Sequence, residues 1–199
     1  MKIPALPFPL APAGEPPCAH ELLPEGLRLT GRAETDLFVD PAGDGSTFPD
    51  AGRLVGLPPE GDFTLSAHVT VDFASVYDAG VLLLHASERR WAKLCFEYSP
   101  QRKPTAVTVV TRGFSDDCNS FEVPGNDLHL RITRSGRAWA FHASTDGSQW
   151  RLLRYFSLDT DEPVSVGFIA QSPTGKGCTA SFRDITFASG APTDLRDGS

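Results

Sequence analysis

Trp91-Ala92-Lys93-Leu94-Cys95-Phe96-Glu97 decides how this chain is read. Side chains alternate across a strand, so Trp91, Lys93, Cys95 and Glu97 share one face and Ala92, Leu94 and Phe96 share the other. One face is purely apolar and belongs in a core. The opposite face sets an aromatic ring, a cation and a carboxylate in a row, the pattern of a strand that lines a polar cleft and also of a solvated edge strand.

The neighbouring sequence repeats the two-residue period. Strands are expected at 27–33, 63–73, 80–85, 91–98, 106–112, 128–134, 138–144, 164–170 and 179–187, with a shorter one near 150–156. Ser135-Gly136 and Asp146-Gly147 supply the backbone freedom of tight turns between them. No stretch longer than a turn shows helical periodicity. About ten short strands without crossover helices predict an all-β, antiparallel two-sheet jelly-roll sandwich. Seven of the 17 prolines precede residue 25. Residues 1–20 are therefore expected to form a proline-rich arm, with the sandwich over 21–188 and a flexible tail over 189–199.

The totals exclude some functions. A net charge of -7 lacks the basic stripe of a nucleic-acid binder. No apolar run is long enough for a membrane helix, and the N-terminal segment is too broken by proline for a signal peptide; a cytoplasmic location is expected. Cys18, Cys95, Cys118 and Cys178 have no metal-ligand spacing, and the five histidines are scattered. No metal or other cofactor is expected. The partner expected is a small-molecule or sugar ligand, and an unprotected edge strand allows a homodimer.

A further set of motifs carries a family resemblance. Thr35-Asp36-Leu37-Phe38, Asp78-Ala79-Gly80, Trp91-x-Lys93 with Glu97, and Thr111-x-x-x-Ser115-Asp116 are joined by Ser144-x-Asp146-Gly147-x-x-Trp150 and by Gln171-Ser172-Pro173 with Gly177. Together, over residues 25–188, the chain resembles the regulation-of-enolase-like domains of the concanavalin A-like lectin/glucanase superfamily. The resemblance implies a jelly roll with a concave ligand face. Two departures stand out: Asp117-Cys118 follows Ser115-Asp116 where a Trp is usual, and the alternating acidic triplet of the glucanases is missing.

The candidate ligand-binding residues are Trp91, Lys93, Glu97, Thr111, Asp116, Arg131 and Gln171. Trp91 offers a stacking surface; Lys93 and Arg131 offer charge-assisted hydrogen bonds. Two readings stay open. One is a lectin-like module for a carbohydrate or similar polar small molecule. The other is an enzyme in which Glu97 is general acid or base, assisted by His85 or His129. A glycosidase needs two carboxylates about 5–9.5 Å apart, and the second would have to be Asp116 or Asp117, placed on a loop.

Overall fold

The structure, a computed structural model, describes residues 1–43 and 47–199. In chain order its strands are β1 (Ala11–Ala13), β2 (Ala19–Leu23), β3 (Gly26–Arg32), β4 (Phe38–Val39), β5 (Thr47–Phe48), β6 (Arg53–Gly56), β7 (Phe63–Val71) and β8 (Ala79–Ser87). They continue with β9 (Arg90–Tyr98), β10 (Pro104–Arg112), β11 (Phe114–Glu122), β12 (Asp127–Ser135), β13 (Ala138–Ser144), β14 (Arg151–Ser157), β15 (Ser165–Gln171) and β16 (Gly177–Ser189). Two seven-stranded antiparallel sheets pack face to face. The first runs β1-β6-β15-β8-β9-β10-β11 and the second β14-β13-β12-β7-β16-β3-β2, while β4 and β5 form a separate small hairpin. The chain is the all-β sandwich its alternation implied. Among the described residues, no helix is long and apolar enough to cross a membrane.

β7 shows why the strands form. Phe63, Leu65, Ala67, Val69 and Val71 are all buried, and Thr64, Ser66, His68 and Thr70 between them are half-buried. That is a strand with one core face and one wetter face. β8, β9 and β10 differ, because both of their faces are largely buried. Leu82, Leu84, Ala92, Leu94, Phe96, Ala106 and Val110 point into the core between the sheets. Val81, Leu83, Trp91, Cys95, Val107 and Val109 form a second apolar cluster on the outside of the first sheet, closed over by Leu37, Val39 and Ala51. A covering segment must therefore lie there.

The sheets approach closely at Gly80. An ideal Cβ built there would stand 2.6 Å from Val69 Cγ1 and 3.0 Å from both Val71 Cγ2 and Ala180 Cβ. Gly80→Ala is expected to overfill this layer and to lower stability by roughly 1–3 kcal/mol, read from the urea midpoint at unchanged slope.

Two terminal expectations need correction. Residues 1–20 are not a free arm. Ile3, Leu6, Phe8 and Leu10 are buried in the main core, the Phe8 ring meets Phe187 edge-on at 5.5 Å, and β1 pairs with β6 to close the first sheet. The prolines suggested a solvated extended chain, whereas the apolar residues alternating with them provide enough buried surface to dock it. Pro12 is tolerated because β1 is an edge strand. Residues 189–199 are not a free tail either, since Leu195 and Gly198 accept hydrogen bonds from His142 and Arg131 of the second sheet.

Candidate functional site

The covering segment spans residues 34–43 and 47–51. It is held by its own polar backbone and by one side-chain pair on the sheet edge. The Asp36 carbonyl accepts from Asp50 N (3.1 Å) and Ala51 N (2.8 Å), and Asp36 N donates to Asp50 Oδ1 (3.1 Å). Farther along, Val39 N donates to Ser115 Oγ (2.9 Å), which also bonds Thr111 Oγ1 (2.9 Å). Leu37 and Val39 then bury their side chains on the outside of β8, β9 and β10.

This strap places Lys93 in an unusual setting. The side chain is only 2% exposed, and Nζ donates to Asp36 Oδ1 at 2.9 Å and to Gln171 Oε1 at 3.1 Å. Burial, the largest single influence, pulls the ammonium pKa down, but the charge and hydrogen bond of Asp36 together with the neighbouring Cys95 and Glu97 hold it above the usual lysine value. Lys93 is thus a charged latch between the strap and the sheet.

Glu97 lies four residues along the same face of β9. No hydrogen bond joins its carboxyl to another described residue; Lys93 donates to Asp36 and Gln171 instead. Burial pushes its pKa up to about 8; Lys93 opposes the rise, while Asp36 and Asp117 add to it. At neutral pH this carboxyl is protonated and can both donate and accept. Asp117 sits across Val109 from Lys93, because the register pairs Asp117 with Val109 and Val109 with Lys93. Its pKa is also raised, first by burial. Directly under these groups, the Cys95 thiol is buried and pushed well above its ordinary pKa, which leaves it unreactive.

These side chains form the floor of a cavity of about 310 Å³, with Asp36, Lys93, Glu97, Asp117 and Gln171 supplying the polar groups. Phe38, Phe48, Tyr77, Val109, Pro173 and Thr174 supply the walls. Phe48 and Tyr77 are 43% and 38% exposed, so their rings stand at the mouth. Convergent polar groups inside an apolar wall are the usual makings of a small-molecule pocket. A wider hollow of about 390 Å³ lies between Arg134, Trp139 and the 159–164 loop. It is lined by charged residues as well, but its ion pair, Arg137 with Asp161 at 3.7 Å, is almost fully solvated, unlike the buried Lys93 pair of the cleft.

Of the candidate residues, Lys93, Glu97 and Gln171 meet in the cavity and the others do not. Trp91 is fully buried beneath the strap, with Nε1 donating to the Glu88 carbonyl (3.2 Å), so no ligand can stack on it. Thr111 is buried against Ser115 and anchors the strap. Asp116 lies on a strand, β11, rather than a loop, and alternation turns it away from Asp117. Its carboxylate pairs with Arg154 at 2.7 Å and ties β11 to β14 of the other sheet. Arg131 and His129 belong to β12 in the second sheet, on the far side of the sandwich. His129 stacks on His68 with ring centroids 4.1 Å apart.

His85 shares the sheet with Glu97 but is opposite Trp91 in the register. Six residues of strand therefore separate it from Glu97, roughly 20 Å. It faces Arg53 (3.4 Å), and burial plus that cation push its pKa down to about 4. Neither histidine can share a proton with Glu97. Asp36, Phe38, Phe48 and Tyr77 were not singled out as site residues from sequence, and Asp117 only as an alternative to Asp116 for a second carboxylate. Asp36 was visible in the Thr35–Phe38 motif, and Asp117 follows from alternation once β11 is recognised as a strand.

With the cleft and topology described, similarity to other proteins can be placed on them. The model of a family described as a protein of unknown function, DUF1349, matches residues 15–189. The chain belongs to the DUF1349 family. Regulation of enolase protein 1 of Saccharomyces cerevisiae is 25% identical over 150 residues, covering 74% of this chain and 75% of the yeast protein. This agrees with the regulation-of-enolase-like motifs quoted above. The crystal structure of a functionally unknown S. cerevisiae protein superposes with a TM-score of 0.79 at 21% identity, covering 91% of this chain and 96% of that one. A carbohydrate-binding module of Bacillus subtilis, CBM66, superposes at 0.56 with 13% identity, covering 94% and 98%. At these identities the two structures establish a shared fold. The DUF1349 sandwich thus shares its fold with these two proteins, and the polar cleft is described from its own residues.

Proposed function

We propose that the cleft over β9 binds a neutral, hydroxyl-rich small molecule, with a carbohydrate of one or two rings as the chemical class. The observation that carries this is the charge state of the floor. Lys93 is neutralised by Asp36 and Glu97 is held protonated, so apart from the Asp117 carboxylate on the exposed edge strand the floor offers donors and acceptors without net charge. An anionic ligand would meet no free cation and a cationic one only the edge carboxylate of Asp117, whereas hydroxyl groups can pair with Gln171, Glu97 and Asp117. Phe48 and Tyr77 at the mouth take over the stacking role that sequence had given to Trp91. The lectin-like fold shared with the B. subtilis carbohydrate-binding module supports the same reading by analogy.

Calorimetric titration with a panel of neutral sugars and polyols tests it, beside sugar acids and amino sugars. A neutral compound is expected to bind at pH 7, to weaken at least fivefold in Gln171→Ala, and to weaken as pH rises past 8 and Glu97 ionises. Saturable binding of charged compounds alone would overturn the proposal.

One observation favours a second reading, an enzyme. Glu97 is a protonated carboxyl without a hydrogen-bond partner among the described residues and with a pKa of about 8, the condition of a general acid. Asp117 is the second carboxylate of the lining, on β11, the edge strand of the same sheet beyond β10. Conversion of a bound sugar over time, abolished in Glu97→Gln with binding retained, would decide for catalysis; recovery of the ligand unchanged would decide for binding.

A further inference from the structure

The outer face of the second sheet carries a feature the cleft does not use. Arg131 on β12 and His142 on β13 are direct cross-strand partners, so their side chains stand together. Both are buried: Arg131 is 9% exposed and His142 not at all. Among the described residues, no carboxylate pairs with Arg131, whose guanidinium instead lies over the Trp150 ring at 4.1 Å. A buried cation without a counter-ion is costly.

What covers the pair is residues 194–199. Arg131 Nη2 donates to the Gly198 carbonyl (2.8 Å), and His142 Nε2 donates to the Leu195 carbonyl (2.8 Å). Among the described residues Arg131 Nε, on the same edge of the guanidinium, is buried without a partner, as is Thr133 Oγ1 nearby on β12. The Nε–Nη2 edge presents two parallel N–H groups, the fork that grips a carboxylate through both oxygens. Here a single neutral carbonyl satisfies half of it.

We infer that Arg131 and His142, backed by Trp150, form a second binding site that takes a carboxylate, and that residues 194–199 are a cover whose carbonyl oxygens occupy the carboxylate's place. A carboxylate would satisfy both Nε and Nη2, neutralise the guanidinium and accept from His142 Nε2 once the Leu195 carbonyl has left. The site lies on the opposite sheet from the cleft and does not depend on the reading given to it.

Gly198 provides the handle. It has a positive φ of 79°, and a Cβ there would collide with Arg131 Nη2 and with Trp150 Cβ. Gly198→Val is therefore expected to lift the cover without touching the recognition groups. The test follows the Arg131 Nε–H and Trp150 indole N–H resonances of the full chain during titration with succinate, and with a pentapeptide bearing either a free or an amidated C-terminus.

In Gly198→Val, carboxylates are expected to shift both resonances with half-saturation at least tenfold lower than in wild type. The amidated peptide should do nothing, and a preference between succinate and free peptide identifies a metabolite or a chain terminus as the source. Arg131→Lys in the same background should abolish the Trp150 response while the melting temperature shows the chain still folded. An absent response in Gly198→Val once Arg131 Nε–H exchanges freely, or an undiminished Trp150 response in Arg131→Lys, overturns the inference. If Gly198→Val combined with Leu195→Ala still leaves Arg131 Nε–H protected, residues 194–199 are a fixed part of the fold and the cover is refuted.

Discussion

Lys93→Met is expected to lower stability by about 3–5 kcal/mol, the range for removing one partner of a buried ion pair. The substitution keeps the volume of the side chain but leaves the Asp36 carboxylate facing an apolar cluster with its ammonium gone. Asp36 organises the strap through its backbone and side chain, so the strap should release before the sandwich unfolds. Trp91, fully buried beneath it, should then become accessible and shift its emission to the red. Adding Asp36→Asn removes the stranded charge and should restore about half of the loss, a coupling that a double-mutant cycle measures directly. A loss below about 1 kcal/mol for Lys93→Met, with Trp91 still buried, would show that the pair does not latch the strap.

Glu97→Gln should act in the opposite direction, stabilising the protein above neutral pH. The unfolded carboxyl ionises near 4.5, while the folded one keeps its proton until about 8. Between those values the folded state binds one more proton than the unfolded state, so wild-type stability falls as pH rises through this window and levels off above it. Glutamine cannot ionise and escapes the fall. The two proteins should therefore be equally stable at pH 4, whereas at pH 9 the variant should lead by on the order of 3 kcal/mol, given about 1.4 kcal/mol per pH unit and a discount for partial exposure. Urea titrations at the two pH values measure the difference. A group that weakens the fold at working pH is what a ligand site tolerates and a purely structural position does not.

How much of this was visible in the chain depends on what alternation can express. β7, β9, β12 and β13 have clean two-residue patterns, and their placement follows from it. β11 was read as a loop because Asp116, Asp117, Cys118, Asn119 and Ser120 show no apolar phase; an edge strand whose faces are both wet needs none. The shared face of Lys93 and Glu97 was legible for the same reason that β9 was. That Trp91 is covered was not, since the strap arrives from residues far away in sequence. Arg131 and His129 were assigned to the cleft because alternation tells which face of a strand is polar, but not which of two sheets the strand joins.

The protonation of Glu97 underlies both the neutral floor of the cleft and the proposed ligand class. A carbon-13 NMR titration of the Glu97 side-chain carboxyl in the folded protein, assigned by comparison with Glu97→Gln, tests it most directly. A midpoint near 8 is expected, moving higher still when a neutral polyol binds and takes the proton in a hydrogen bond. A midpoint near 4.5 would mean that the carboxyl is ionised at neutral pH, and the neutral cleft would have to be abandoned.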